Sequence, residues 1–217
     1  MEKKRAILWD NDGVLVDTER LYFEANRQEL AAIGVTATWT QYEEINLKDG
    51  MSLLSLSGLD GEDLRNLHSR RNARYSAMLR TENIAIPGML DLLGRMRQRF
   101  TTMGIVTGSR REHFDIIHGQ SGMLAHMDFT VVREDYPRSK PHPDGYLAGI
   151  QRAGLAAMDC IAVEDSPRGV AAARGAGLEC VYFTPGGLGA GRDVGEVFAC
   201  AGSAEELEAV LGHWFHR

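Results

Sequence analysis

Two carboxylates stand two residues apart just after a short apolar run near the start of the chain. The apolar residues 6–9 are followed by Asp10 and Asp12, which predicts a buried strand that ends at the two acids. Side chains of an extended backbone alternate between faces, so these two acids can point the same way while Asn11 points elsewhere. Like charges at that separation repel unless a cation or a proton lies between them. A chemical role therefore explains the two acids better than a contribution to fold stability does.

A second pair of acids follows another predicted strand. Residues 160–163 are apolar, and Glu164 and Asp165 come directly after them. Ser166 and Pro167 fit the N-cap and the first position of a helix. Assistance to the N-terminus of that helix would account for one acid but not for two, so the pair is a candidate set of metal ligands.

Thr107, Gly108 and Ser109 follow a third apolar run and open a predicted helix. Hydroxyls and backbone N–H groups at a helix N-terminus can hold a phosphate group, so these residues are candidate phosphate ligands. Ser109 also fits a capping box with Glu112, and for Ser109 both interpretations stay open. Thr107 lies on the strand side of the cap, where the phosphate interpretation is favoured.

Lys140 lies in a proline-rich loop and supplies the positive charge that an acidic site for an anion needs. Up to four negative charges would meet there: Asp10, Asp12, Glu164 and Asp165. A bound phosphate monoester would add about −1.5 to −2, which Lys140 alone cannot balance. A divalent cation is therefore predicted, and oxygen ligands without Cys or His indicate Mg²⁺.

The predicted elements bring these groups to one edge of a sheet. Helical periodicity runs through residues 18–83, whereas strands and helices alternate afterwards, which predicts an α/β fold with a Rossmann-like, doubly wound parallel sheet. Ligands of such sheets lie beyond the carboxyl ends of the strands. The predicted domains are a catalytic core, residues 1–17 and 84–217, and an inserted all-helical cap, residues 18–83. Predicted strands lie at residues 6–9, 103–106, 128–132, 160–163 and 180–183.

Together these pieces resemble the four motifs of the haloacid dehalogenase superfamily, in the family's order and at familiar separations. The first motif is Asp-x-Asp-Gly-x-x-x-Asp-(Ser/Thr), here Asp10, Asp12, Gly13, Asp17 and Thr18. The helical insertion resembles that of the members with a small helical cap. This subfamily includes phosphoglycolate phosphatases, sugar-phosphate phosphatases and β-phosphoglucomutase.

The resemblance implies a role for each matching residue. Asp10 would be the nucleophile that forms an aspartyl-phosphate, and Asp12 would be the general acid and base. Mg²⁺ would be bound by the Asp10 side chain, the Asp12 backbone carbonyl and Asp165, with Glu164 as a ligand or as a partner of the ligands. Thr107 and Lys140 would hold the transferring oxygens, and Lys48 lies where family members carry a substrate-specificity loop. The candidate substrate ligands are Thr107, Gly108, Ser109, Lys140, Thr18 and Lys48.

Two alternatives to a phosphatase of small phosphate monoesters, such as a sugar phosphate or a phosphoglycolate-like acid, follow from the same residues. Mutases of the β-phosphoglucomutase type carry a histidine where this chain has Tyr22, and a cap arginine where it has residues 49–52. Both differences favour hydrolysis. A remote alternative is a non-catalytic phospho-acceptor module like a response-regulator receiver domain. Those domains resemble this chain in an Asp, a Thr or Ser and a Lys, but lack the insertion and the second acid pair.

The composition limits the possible partners. The 217 residues carry 24 Lys and Arg against 30 Asp and Glu, a formal charge of −6, which argues against nucleic acid or an anionic membrane as partner. Three distant cysteines fit a reducing compartment, and acids interrupt the first apolar run where a secretory signal would not tolerate them. The expected protein is cytoplasmic, binds a small phosphorylated metabolite, and is a monomer or weak homodimer.

Overall fold

A computed structural model describes residues 4–187 and 191–217 of the chain. The chain divides into two compact units, one formed by Met1–Asp17 with Ala85–Arg217 and the other by Thr18–Ile84. The sequence predicts the second of these boundaries one residue earlier, between residues 83 and 84.

The first unit is built on a six-stranded sheet in which every neighbouring pair is parallel. The strands are β1 (Ala6–Trp9), β2 (Thr102–Val106), β3 (Phe129–Val131), β4 (Cys160–Glu164), β5 (Glu179–Phe183) and β6 (Ala199–Ala201). Their spatial order is β3-β2-β1-β4-β5-β6. The order reverses beside β1, which is the doubly wound arrangement, so the predicted fold class is confirmed.

Eight α-helices connect or extend this framework in the described part of the chain. They are α1 (Glu19–Ala31), α2 (Trp39–Tyr42), α3 (Gly61–Thr81), α4 (Met89–Arg97), α5 (Arg111–His118), α6 (Asp144–Ala153), α7 (Pro167–Gly175) and α8 (Ala204–Phe215). A π-helical segment covers Glu43–Lys48, and short 3₁₀ segments cover Leu53–Ser57, Met123–His126, Arg133–Asp135, Ala157–Asp159 and Pro185–Gly187.

The two central strands place their acids at one edge of the sheet. Every residue of β1 and β4 is buried, because helices cover both faces of such a sheet, and Glu164 is the one charged residue among them. Trp9 lies opposite Val163 across the β1–β4 pair, and the Asp10 N–H donates to the Val163 carbonyl at 2.9 Å. Both strands therefore end side by side at their acidic residues.

The N-terminus of α7 follows the sequence prediction. The Ser166 hydroxyl accepts a hydrogen bond from the Gly169 N–H at 3.1 Å, and Pro167 occupies the first helical position. A serine N-cap and a proline without an N–H both suit a helix start, where backbone donors lack intrahelical partners. This start fixes the direction in which the chain leaves Glu164 and Asp165.

Two elements differ from the sequence prediction. Strand β6 was not predicted, since Ala199–Ala201 is only three residues long and its alanines have little strand preference. Within residues 18–83, where the sequence predicts ordinary helical periodicity, Glu43–Lys48 forms a π-helical segment. Wider turns are rare and have no clear pattern in sequence.

The second unit is entirely helical in its described residues. Helix α1 packs against α3, and an apolar cluster fills the space between the helices: Leu30, Ala37, Tyr42, Leu47, Leu53, Leu54 and Leu67. The buried Glu29 accepts hydrogen bonds from Arg70 and Arg74, which ties α1 to α3 through charge as well. Within residues 4–187 and 191–217, no helix combines the length and apolar character that crossing a membrane requires.

Candidate active site

A buried ion-pair network lies at the carboxyl ends of β1 and β4. The Lys140 Nζ is 2.8 Å from Asp10 Oδ1 and 2.5 Å from Glu164 Oε1. It also donates to the Val106 carbonyl at 3.3 Å. One ammonium group is thus shared between two carboxylates that come from different strands.

Sharing one ammonium leaves the pair of carboxylates unbalanced. Burial and the neighbouring Glu164 raise the pKa of Asp10 well above its ordinary value, although Lys140 acts in the opposite direction. Burial disfavours the charge on Lys140, but Asp10 and Glu164 outweigh it and raise the pKa of the ammonium. Lys140 therefore stays charged, while Asp10 would be ionised more easily with a second cation nearby.

Asp12 is held by the loop that follows β2. The Thr107 and Ser109 hydroxyls donate to Asp12 Oδ2 at 3.1 and 2.7 Å, and the Ser109 N–H donates to the Thr107 hydroxyl at 2.9 Å. Asp10 and Asp12 thus meet different partners on the same edge of the sheet. Gly108, between the two hydroxyl residues, is exposed.

Ser109 does not cap the helix that follows it. Helix α5 begins at Arg111, and its N-cap is Arg110, whose side chain makes no capping hydrogen bond. The Arg111 N–H donates instead to Glu134 Oε2 at 3.0 Å. The capping-box interpretation with Glu112 is therefore wrong. Ser109 instead belongs to the polar cluster around Asp12, a partner that lies 97 residues away in sequence.

Three carboxylates form a cluster that could hold a metal ion. Oxygens of Asp10, Glu164 and Asp165 lie within 4.8 Å of one another. Gly13 makes room for Asp165, since a Cβ at that position would lie 1.9 Å from Asp165 Oδ2, and its φ of +80° is one that side-chain-bearing residues rarely adopt.

The donor set fits a hard divalent cation. The cluster offers carboxylate oxygens, and no His or Cys joins it among the residues that the structure describes, which suits Mg²⁺ better than zinc. A cation among these oxygens would offset the charge that Lys140 leaves unbalanced. The Asp12 side chain is not part of this carboxylate cluster, and the earlier prediction assigns only its backbone carbonyl to the metal.

Two of the predicted substrate ligands belong to the helical unit. Thr18 is buried and precedes α1 as its N-cap, while Lys48 is exposed at the end of the π-helical segment. Their assignment to the substrate stays a prediction.

Three polar residues beside the cluster were not found from the sequence. Tyr146 OH donates to Glu164 Oε1 at 2.7 Å, and Tyr136 OH donates to the Thr107 carbonyl at 2.9 Å. His118 Nε2 lies 2.7 Å from Asn11 Oδ1. The tyrosines occupy buried positions that a sequence pattern does not distinguish from core aromatics. Of the residues in these contacts, only Asn11 could have been identified from the sequence, because a polar side chain at the end of a buried strand needs a hydrogen-bond partner.

Comparison with known sequences identifies related proteins. The model of the family described as haloacid dehalogenase-like hydrolase matches residues 7–183. A phosphorylated carbohydrates phosphatase from Thermotoga maritima is 28% identical over 205 residues, which cover 90% of this chain and 92% of the relative. A phosphoglycolate phosphatase from Xanthomonas campestris is 29% identical over 184 residues, which cover 83% of each chain.

A solved structure supports the fold. CbbY from Rhodobacter sphaeroides, in complex with xylulose-(1,5)bisphosphate, superposes with a TM-score of 0.77 at 23% identity and covers 94% of this chain and 96% of its own. The sheet and its connections are therefore those of a known architecture.

Proposed function

Because the chain belongs to the haloacid dehalogenase-like hydrolases, we propose that it hydrolyses a small phosphate monoester, a sugar phosphate or a phosphoglycolate-like acid, in a Mg²⁺-dependent reaction. The family predicted from the four motifs is confirmed, and the chain is a phosphatase of that family. The proposal adds the metal, the substrate class and a covalent intermediate on Asp10.

The observation that carries the proposal is the contact between Asp10 and Lys140. An ammonium group 2.8 Å from Asp10 Oδ1 holds the carboxylate in one orientation, and the raised pKa of Asp10 reports that its charge is undercompensated in the protein alone. A buried, oriented carboxylate with little solvation is a suitable nucleophile. A gain in stability does not explain the buried Asp10–Lys140 contact, because the desolvation of both charges offsets their attraction.

In the proposed reaction, an Asp10 oxygen attacks phosphorus while the bond from phosphorus to the leaving oxygen breaks. Asp12 gives its proton to that oxygen and later takes one from the water that hydrolyses the aspartyl-phosphate. The Thr107 and Ser109 hydroxyls orient Asp12 for both transfers. Asp10 and Asp165 would hold Mg²⁺ with the Asp12 carbonyl, and the bound cation would offset charge on the phosphoryl oxygens.

The mutase alternative is not favoured. The two named sequence relatives are phosphatases, and Tyr22 stands where the resemblance to mutases requires a histidine. Incubation with β-glucose 1-phosphate and a bisphosphate primer should yield free phosphate and no glucose 6-phosphate.

The proposal is tested with purified protein and an aryl phosphate ester. Phosphate release should require Mg²⁺, stop when a chelator is added, and fall by about 10⁴-fold or more in Asp10→Asn. Asp91→Asn, at an exposed position in α4, is the matched control and should keep full activity. Activity that survives Asp10→Asn would remove the nucleophile from the mechanism.

The substrate class needs a separate measurement. Values of kcat/KM over a panel of sugar phosphates, phosphoglycolate and glycerol phosphate should favour one of the first two groups. A preference for a phosphoprotein or a nucleic acid over every small ester would contradict the proposed class.

A further inference from the structure

We propose that Tyr146 is a positioning residue that holds Lys140 against Asp10 by way of Glu164. The inference rests on the proposed phosphatase function, because it concerns the same site, but it assigns a role to a residue outside the four motifs. The Tyr146 hydroxyl donates to Glu164 Oε1, so its effect on Lys140 and Asp10 passes through this neighbour.

The geometry joins three side chains at one oxygen atom. Glu164 Oε1 accepts hydrogen bonds from Tyr146 OH at 2.7 Å and from Lys140 Nζ at 2.5 Å. Tyr146 and Glu164 are both fully buried, and the Lys140 Nζ lies 5.3 Å from the centre of the Tyr146 ring. The lysine and the tyrosine therefore both donate hydrogen bonds directly to the same carboxylate oxygen.

The two donors come from one continuous segment. Lys140 precedes the start of α6 by four residues, and Tyr146 lies in the first turn of that helix. Glu164 is the last residue of β4. Two hydrogen bonds from one segment to one oxygen restrain both the position and the direction of the loop that carries Lys140.

The other side of the Glu164 carboxylate is closed by α7. A Cβ placed on Gly169 would lie 1.8 Å from Glu164 Oε2 and 2.2 Å from its Oε1, so the helix backbone lies directly against the carboxylate. The Ser166 hydroxyl lies 3.4 Å from Oε2. With α7 on one side and Tyr146 on the other, Glu164 has one orientation in which Oε1 faces Lys140.

An uncharged donor is needed at this place. A lysine or arginine at position 146 would neutralise Glu164, and Lys140 would then lose part of the charge that attracts it. A tyrosine hydroxyl satisfies the buried oxygen and leaves the cluster with more negative than positive charge, as a divalent cation requires. The phenol ring also fills the volume beside the lysine stem.

The position of Lys140 depends on this support. Its ammonium group has three N–H donors, and three acceptors lie within reach: Asp10 Oδ1, Glu164 Oε1 and the Val106 carbonyl. If Glu164 Oε1 loses the Tyr146 hydroxyl, the carboxylate can follow Lys140 in small displacements, and the alignment of Lys140 with Asp10 loosens. Rate should suffer more than ground-state binding, because alignment matters most in the transition state.

The test uses Tyr146→Phe in the full-length protein with Mg²⁺. We expect kcat to fall about 10-fold, which corresponds to one hydrogen bond to a charged group, while KM changes less than about twofold. The inhibition constant of vanadate should rise by the same factor as kcat falls, because vanadate imitates the transition state. Tyr42→Phe is the control, since it also removes a buried phenol O–H that donates to a carboxylate, that of Glu19 in the helical unit, and it should leave kcat unchanged.

A second background tests the route through Glu164. In Glu164→Met, which removes the acceptor, the loss of the Tyr146 hydroxyl should lower kcat by less than about twofold further. The melting temperature of the metal-free protein should show the same coupling, with Tyr146→Phe lowering it more in the wild-type background than in Glu164→Met. Equal effects in both backgrounds, or an unchanged kcat in Tyr146→Phe, would overturn the positioning role.

The outcomes also separate this inference from the proposed function. A wild-type protein that releases no phosphate from any ester would end the proposed function, while the coupling in the metal-free protein would still report on the Tyr146–Glu164 contact. An active wild-type protein with an unaffected Tyr146→Phe variant would end only the positioning role.

Discussion

Asp10 and Glu29 are buried carboxylates in different units of the molecule, and their charges are compensated differently. Glu29 Oε2 is 2.9 Å from Arg70 Nε, and its Oε1 is 2.8 Å from Arg74. Although burial opposes its charge, hydrogen bonds from the two arginines lower the pKa of Glu29. Asp10 shares one ammonium with Glu164, and burial together with Glu164 raises its pKa.

The difference separates an ion pair that stabilises the fold from one that we propose to act in catalysis. Around Glu29 the positive charges exceed the negative charge, so the contact joins two helices and stabilises the folded unit. Around Asp10 the negative charges exceed the positive charge, which weakens the fold but leaves attraction for a cation. Sites that trade stability for function commonly have this kind of imbalance.

The largest expected effect comes from removing the shared ammonium. Lys140→Met should lower phosphate release by about 10³-fold and lower the free energy of unfolding of the metal-free protein by about 3–5 kcal/mol, because two buried carboxylates would remain uncompensated. Chemical denaturation at neutral pH measures the second effect.

Arg70→Met is the matched change in the helical unit. Glu29 keeps Arg74, so the free energy of unfolding should fall by about 1 kcal/mol or less and activity should remain. If both variants lose equal stability, the contrast between the two carboxylates is wrong.

His118 extends the comparison to a buried base. Its side chain is kept neutral, whereas the charges of Asp10 and Glu29 meet neighbouring cations. Burial lowers its pKa from 6.5 to about 4, although Asp12 acts in the opposite direction. Between these values the unfolded chain binds the proton and the folded chain does not, so stability falls as the pH drops from about 6.5 to 4, by up to about 3 kcal/mol.

The His118 effect is measured as the difference between wild type and His118→Gln in unfolding at several pH values. The stability of the variant should vary less over this range. His216→Gln, which changes an exposed histidine, should follow the wild type. A wild-type curve that is parallel to that of His118→Gln would contradict the prediction.

A divalent cation should reduce the imbalance at Asp10. Mg²⁺ at about ten times its dissociation constant should raise the free energy of unfolding by about 1.4 kcal/mol, seen as a higher melting temperature. Asp165→Asn should lose most of this shift, whereas Glu29→Gln should keep it. An equal Mg²⁺ shift in wild type and Asp165→Asn would place the cation elsewhere.

An effect of similarly small size concerns Glu29 itself. Its lowered folded pKa means that its stabilising contribution is present above the unfolded value of 4.5 and is lost as the pH falls through the folded value. Glu29→Gln should therefore cost about 1 kcal/mol or less at pH 7, and the cost should disappear in acid. A cost that grows toward low pH would reverse the assigned sign.

The fold class and the family could be predicted because both depend on local patterns. The apolar runs that end at Asp10 and Glu164 are visible without coordinates, and the parallel order follows from the alternation of strands and helices. Short motifs with fixed spacing identified the family for the same reason. The edge strand Ala199–Ala201 escaped prediction, because pairing with β5 rather than residue preference makes it a strand.

The partners of the site residues were harder to predict. Ser109 fits a helix cap by its spacing to Glu112, yet its hydroxyl donates to Asp12. Local and distant acceptors compete for a serine hydroxyl, and only the position of the distant one decides the outcome. Tyr146 carries no mark in the sequence that separates a core aromatic from a donor to Glu164.

By itself the sequence determined which chemical groups are available and at which ends of the strands they stand, because strand and helix periods are properties of neighbouring residues. The tertiary structure alone decided how charge is shared among them: Lys140 between two carboxylates, and Glu29 between two arginines. Hydrogen bonds and ion pairs act over a few ångströms of space, and segments far apart in the chain meet at that distance only after the sheet and the helices have packed.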